Sequence, residues 1–191
     1  MRRSSVKLPV RTGARPMRMR QGTAADAEAL FALIHEHQAE GHLLPRNLEE
    51  IRRRASGFVV SEVAGVLQAC VELAPLSDSV AEVRSLVVSG IARGQGVATR
   101  LLARLRRRAV ENGYDTLAAF THDPRFFVRQ NFSMVPHHRV PEKIARDCAA
   151  CPLFRRCGQH AMTLSLTDGR EIGFHGTRDI EQVEDRRAAV A

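Results

Sequence analysis

The chain has no tryptophan, a single tyrosine (Tyr114) and only 5% aromatic residues. Proteins that hold single-stranded nucleic acid interleave aromatic stacking platforms with basic residues. The basic residues here are not arranged that way, so nucleic acid is a poor partner despite the formal net charge of +8. No stretch approaches the ~18 consecutive apolar residues of a transmembrane helix, and the first residues lack the apolar core of a secretory signal. No membrane association is expected, and the cytoplasm is the default compartment. There are four cysteines, three of them clustered between positions 148 and 157. That is not the framework of a secreted, disulfide-stapled domain. There is no G-x-G-x-x-G fingerprint and no G-K-[ST] P-loop, which argues against the common dinucleotide and nucleoside-triphosphate sites. No internal repeat is visible.

What is present suits one domain with tails: 191 residues, 44% of them hydrophobic. Arg2, Arg3, Lys7, Arg11, Arg15, Arg18 and Arg20 all precede the first acid, Asp26. Arg104, Arg106, Arg107 and Arg108 form a second basic cluster. Such clusters read as solvated faces, or as the counterpart of a small anionic cofactor or acidic substrate. Residues 1–16 are expected to be a flexible basic arm, 17–166 the domain, and 167–191 a tail.

Within the domain the periods alternate. Met17–Gln21 reads as a strand. Thr23, with Asp26 three residues on, opens a helix over Ala24–Glu40 that Gly41 ends. Asn47 caps a second helix running to Ala55. Phe58–Val63, Val66–Leu73 and Val80–Val88 are β-rich runs. Val97–Asn112 is a long helix with Leu101, Leu102 and Leu105 in its apolar stripe, stopped by Gly113. Thr116–Phe120 is a strand, Pro124–Gln130 a short helix, Phe132–Val135 a strand, Pro141–Ala150 helical, and Ala161–Leu166 a last strand. A strand, a helix and a strand between Val80 and Phe120 imply a parallel crossover. The fold class is therefore α/β or α+β with a mixed sheet flanked by helices.

The most informative stretch is Arg93-Gly94-Gln95-Gly96-Val97-Ala98, after a strand and at a helix start. The first N–H groups of a helix lack intrahelical partners and carry partial positive charge. Glycine lets an anion approach them. The pattern Arg-x-x-Gly-x-Ala resembles the acetyl-CoA loop of the GNAT acyltransferase superfamily. The resemblance spans about Met17 to Leu166. It implies a splayed mixed sheet, a pyrophosphate cradled by Arg93, Gly94, Gln95, Gly96, Val97, Ala98 and Thr99, and pantetheine paired along Leu86, Val87 and Val88. It also implies acetyl-CoA as cosubstrate and direct attack of an amine on the thioester.

Three further segments narrow the resemblance: His42-Leu43-Leu44-Pro45-Arg46, Glu82-Val83-Arg84-Ser85-Leu86, and Pro141-Glu142-Lys143 leading to Asp147-Cys148-Ala149-Ala150-Cys151-Pro152. Together they are similar to the short, single-domain bacterial N-acetylglutamate synthases, which implies L-glutamate as acceptor and the first step of arginine biosynthesis. Guanidinium groups bind carboxylates in a bidentate fork. The family pattern makes Arg46 the substrate-binding candidate, and Arg84 joins it by its place on the central strand. Glu82 lies two residues before Arg84, on the same strand face. It is either a base for the acceptor ammonium or only an ion-pair partner of Arg84. Many GNAT enzymes carry a tyrosine acid after the fifth strand. Here that stretch is Phe126-Phe127-Val128-Arg129, which leaves the proton donor open. His122, at the end of a strand, is a further substrate-side candidate or a plain loop histidine.

Cys148, Cys151, Cys157 and His160 have the residue types of a tetrahedral structural zinc site. Reduced thiols or a redox pair are the alternatives. Cys70 reads as a core residue. Two rival functions stand beside the leading one. One is acetylation of another small amine or amino acid on the same fold. The other is a basic, zinc-containing module for nucleic acid or protein. A homodimer is compatible with the resemblance.

Overall fold

The computed structural model describes residues 17–38 and 45–167. The basic arm (1–16), the Glu40–Gly41 helix end with His42, Leu43 and Leu44, and the tail from 168 lie outside the described residues. Seven strands form one mixed sheet: β1 (Arg18–Gln21), β2 (Phe58–Val63), β3 (Val66–Pro75), β4 (Val80–Val88), β5 (Thr116–Thr121), β6 (Ser133–Val135) and β7 (His160–Ser165). Their order is β1-β2-β3-β4-β5-β7-β6. All neighbours are antiparallel except β4 and β5. That parallel pair is joined by the crossover helix α3 (Val97–Glu111), as the strand–helix–strand pattern requires.

The two sheet faces have separate cores. α1 (Ala27–Gln38) and α2 (Leu48–Arg54) bury Leu30, Ile34 and Ile51 against Phe58, Val60, Cys70 and Val87 on one face. α3 buries Val97, Leu101, Leu102, Leu105 and Ala109 against Val59, Val71, Val83 and Leu117 on the other. The α3 stripe follows the helical repeat. Its opposite face carries the arginine cluster, part of which is tied down: Arg104 Nη1 donates to the Met19 carbonyl at 3.3 Å and Arg108 Nη2 to the Ser56 carbonyl at 2.6 Å. Asn47 caps α2 through Oδ1, 2.7 Å from the Glu50 N–H. At Thr23 the helix begins as a 3₁₀ turn (Ala24–Asp26), and the Asp26 carboxylate accepts from the Thr23 N–H at 2.8 Å.

Two irregularities of β4 create the site. Its ladder to β3 slips between Cys70↔Val87 and Glu72↔Arg84, and Ser85 takes a left-handed φ of 50°. A bulge of this kind bends the strand. Beyond Val83, β4 also parts from β5, because the parallel pairing ends at Val83↔Ala119. The sheet therefore splays open along Arg84–Val88, as the GNAT resemblance implies.

Candidate active site

The open edge of β4 forms one wall of a cleft of about 310 Å³ lined by Leu86, Val87, Val88, Arg93, Ala98, Phe120 and Phe126, among others. The turn that closes it is built on glycine. Gly94 and Gly96 have φ of 74° and 70°, a left-handed conformation that side chains rarely adopt. An added Cβ at either would meet nothing within 4 Å, so the conformation, not crowding, selects glycine there. Gly96 is the N-cap of α3, and the first intrahelical bond runs from the Arg100 N–H to the Gly96 carbonyl. The N–H groups of Val97, Ala98 and Thr99 thus precede the helical ladder, with no acidic residue in the first turn. Arg93 leans back on the strand, its Nε donating to the Val88 carbonyl at 3.1 Å. A positive helix end, a backbone free to be approached and a neighbouring guanidinium can together hold a pyrophosphate.

A second cavity of about 370 Å³ adjoins this cleft. Val83, Ser85 and Phe120 line both. Its walls include Arg46, Glu50, Glu82, Arg84, Lys143, Arg146 and Asp147. The sequence candidates Arg46, Glu82 and Arg84 are thus brought to one place. Arg84 donates through Nε to Glu82 Oε2 at 3.1 Å, as expected of residues two apart on one strand face. The ion pair that was the plainer reading of Glu82 is therefore formed.

Sequence reasoning missed what surrounds them. Lys143 is 5% exposed and Glu82 is 4% exposed. The Lys143 ammonium lies 2.9 Å from each Glu82 oxygen and 2.7 Å from Asp147 Oδ2, over the ring of Phe120. Asp147 Oδ2 also accepts from Arg84 Nη2. Two cations and two carboxylates close a ring in which every charge is paired, the condition for burying charge. The neighbouring cations hold the Asp147 carboxyl below its usual range against the opposing effect of burial. Asp147 and Lys143 are four residues apart, in a helix (Pro141–Lys143) that continues as a π-turn over Ile144–Cys148.

Arg46 is anchored by Glu72, a fully buried carboxylate on β3. Arg46 Nη1 donates to Glu72 Oε2 and to Ser85 Oγ, both at 2.9 Å, and Arg54 Nε donates to Glu72 Oε1. Arg46 Nη2 lies 2.8 Å from Glu50 Oε1 but is not aligned to donate, and it is buried without a hydrogen bond among the described residues. The sequence signal for Glu72 is a single acid in a β-rich run whose one other polar residue is Gln68. Cys70, beside it, is a core thiol that burial pushes up to about 12.

His122 lies elsewhere. It is exposed and lines a third cavity, with the cysteine segment, not the one with Arg46 and Arg84. The expected zinc site is not formed. Among the described residues no group of three His, Cys, Asp or Glu side chains is placed to hold a metal ion. The three cysteines line a common cavity that His160 does not reach. His160 is instead fixed at the start of β7, opposite Thr121 on β5.

A splayed mixed sheet, a glycine turn at the start of α3 and an adjoining charged cavity define an acyl-CoA-type transferase. The sequence profile of the Acetyltransferase (GNAT) family matches residues 24–132. The chain belongs to that family and is an acetyl-CoA-dependent N-acetyltransferase. An uncharacterized N-acetyltransferase of Chlorobaculum tepidum is 29% identical over 148 residues, covering 78% of this chain and 96% of that protein. An amino-acid acetyltransferase of Pseudomonas putida is 32% identical over 125 residues, 64% of this chain but only 29% of the relative's length. Among solved structures, N-acetylglutamate synthase from Neisseria gonorrhoeae, complexed with coenzyme A and N-acetyl-glutamate, superposes with a TM-score of 0.71 at 26% identity. It covers 78% of this chain and 35% of that one. A Mycobacterium tuberculosis protein solved with CoA has a TM-score of 0.67 at 21% identity over 98% of its length, a likeness of fold.

Proposed function

We propose that this enzyme transfers the acetyl group of acetyl-CoA to the α-amine of L-glutamate. The observation that carries this reading is the convergence of Arg46, Arg84 and Glu82 in a cavity that meets the coenzyme cleft at Ser85 and Phe120. Glutamate presents two carboxylates and one ammonium. Arg46, whose buried Nη2 makes no hydrogen bond among the described residues, and Arg84 or Arg146 would supply guanidinium donors for the carboxylates. Polyamine or aminoglycoside acceptors want pockets dominated by carboxylates, whereas guanidiniums are prominent in these walls. The relatives named amino-acid acetyltransferase and the gonococcal synthase agree with this reading.

In the proposed cycle Gly94–Thr99 and Arg93 hold the pyrophosphate, and the Leu86–Val88 backbone aligns pantetheine so that the thioester sits at the splay. The amine must lose a proton before it attacks. Both Glu82 oxygens are engaged by cations, so the proton reaches Glu82 through water or by displacing one of those contacts. Collapse of the tetrahedral intermediate then expels CoA as thiolate, a leaving group that does not require the missing tyrosine. The lasting contribution of the protein is to place amine and thioester together. The test is mass spectrometry of the product from acetyl-CoA and L-glutamate. Glutamate carrying one added acetyl group on nitrogen supports the proposal. Unmodified glutamate, alongside acetylation of a different amine, removes the substrate and leaves the family.

A further inference from the structure

Acetyl transfer as proposed moves two protons, and Glu82 accounts for one of them. The ammonium sheds the first before it attacks. Once bonded to the thioester carbon, the nitrogen carries a second, surplus proton, while the departing sulfur lacks one. α1 places a histidine where its pattern calls for an apolar residue. Leu30, Leu33 and Ile34 form the buried stripe of that helix, and His37 continues it one turn further on. The stripe packs on Cys70 and Val87, so its last member comes to the open edge of β4. His37 is 6% exposed and lines the coenzyme cleft together with Ser85, Leu86 and Phe120. Its Nδ1 lies 2.8 Å from the Leu33 carbonyl of its own helix, the ring's one hydrogen bond among the described residues. A carbonyl only accepts, so Nδ1 carries the proton of the neutral ring and Nε2 carries a lone pair. With Nδ1 turned to the helix, the Nε2 edge is the part of the ring left for the cleft.

The other polar side chains of these walls are already committed. Arg93 and Asp123 are the charged residues that line the cleft. A guanidinium stays protonated and accepts nothing. The Asp123 carboxylate receives Arg125 Nε and Nη2 at 2.8 Å each, and the Arg125 N–H at 3.0 Å. Of the hydroxyls, Ser85 Oγ accepts from Arg46 at 2.9 Å and Thr121 Oγ1 donates to the Asp123 carbonyl at 3.1 Å. His37 Nε2 is therefore the proton acceptor that the walls hold open, in a cleft that meets the acceptor cavity at Ser85 and Phe120.

We propose that His37 Nε2 carries the second proton of the reaction, from the nitrogen of the tetrahedral intermediate to the sulfur of the departing CoA. This rests on acetyl-CoA occupying the cleft as proposed above. The amine lone pair bonds to the thioester carbon, and the carbonyl π pair moves to oxygen. The nitrogen, now positive, gives one proton to Nε2, and the ring becomes an imidazolium. The oxygen pair re-forms the carbonyl, the C–S bond breaks, and the sulfur takes the proton from Nε2–H. The products are the N-acetylated amine and CoA thiol, with His37 neutral again. The first ammonium proton leaves by way of Glu82 and is the one released to solvent. His37 thus supplies the acid that the Phe126-Phe127-Val128-Arg129 stretch, without its tyrosine, does not.

The experiment measures single-turnover acetyl transfer by the full chain, with enzyme in excess over acetyl-CoA and the amine that the wild-type chain acetylates fastest. His37→Asn keeps an N–H donor near the position of Nδ1 for the Leu33 carbonyl and removes Nε2. His37→Ala removes the whole ring and leaves room for free imidazole. The expected rate in both is lower by about 100-fold or more, the lower end of general acid–base effects. Acetyl-CoA affinity by calorimetry stays close to wild type, and added imidazole restores the His37→Ala rate in a saturable way. A wild-type rate in His37→Asn overturns the proposal. So does a loss in both variants that follows weakened acetyl-CoA binding and that imidazole does not restore, for then the ring only shapes the cleft. Failure of glutamate as the acceptor is a separate result. The wild-type chain then leaves glutamate unmodified, while the variants are still compared on the amine that reacts.

Discussion

Lys143 and Glu82, 61 residues apart in sequence, meet with the ammonium 2.9 Å from both carboxylate oxygens. The contact fastens the segment after β6 to the central strand and completes the wall of the acceptor cavity. Replacing Lys143 by Met leaves Glu82 and Asp147 with Arg84 as their shared cation. The expected outcome is a fall in kcat/KM for the acceptor of at least about tenfold, with the KM for acetyl-CoA nearly unchanged. Steady-state kinetics on both substrates check it. A parallel loss for both substrates would mean that Lys143 only holds the fold.

Gly96 separates binding from folding. Because a Cβ there meets open space, Gly96→Ala carries only the strain of the left-handed φ, about 1 kcal/mol. Gly96→Glu adds bulk and negative charge where the pyrophosphate is proposed to sit. Calorimetry with acetyl-CoA should show modest weakening for alanine and no measurable binding for glutamate, both variants remaining folded by circular dichroism. Normal affinity in Gly96→Glu would falsify the pyrophosphate assignment.

Arg46 has two jobs that substitution can separate. It faces the acceptor cavity and it neutralises the buried Glu72. Arg46→Ala therefore costs stability as well as affinity, on the order of 3 kcal/mol for breaking a buried pair. Arg46→Lys keeps a charge for Glu72 but loses the guanidinium fork. It should unfold close to the wild-type temperature while the KM for glutamate rises and that for acetyl-CoA does not. An unchanged KM for glutamate in Arg46→Lys would make the residue structural.

The Arg20–Asp26 pair gives a pH signature. Arg20 donates to both Asp26 oxygens at 2.7 Å, and this holds the Asp26 carboxyl at about 2, below its ordinary 3.8. A depressed folded-state pKa contributes stability that is complete above the unfolded value and lost as pH falls through the folded one. Asp26→Asn should lower stability by about 1 kcal/mol near neutral pH, allowing for partial solvent screening. The difference from wild type should shrink between pH about 3.8 and about 2. Urea unfolding across that range measures it.

Much of this architecture was legible because local signals agreed with one another. The α3 stripe, the Asn47 cap and the β-rich runs each matched a period or a cap, and the elements fall within a few residues of expectation. The glycine turn was legible because its spacing is local. Lys143, Asp147 and Glu72 were not, because their roles depend on pairings across 61, 63 and 26 residues that no periodicity encodes. The zinc expectation failed for a related reason. Residue types at suitable spacing do not fix where side chains converge, and among the described residues no three His, Cys, Asp or Glu side chains are placed to hold a metal ion. The bulge at Ser85, which bends β4 beside the proposed pantetheine edge, has no signature in a run of alternating β-formers.

Glutamate specificity is tested most directly by CoA release from the purified chain with acetyl-CoA and a panel of free amino acids. Turnover on L-glutamate well above that on L-aspartate, L-glutamine and L-lysine is expected. Faster turnover on L-lysine or a polyamine, with glutamate inert, would contradict it.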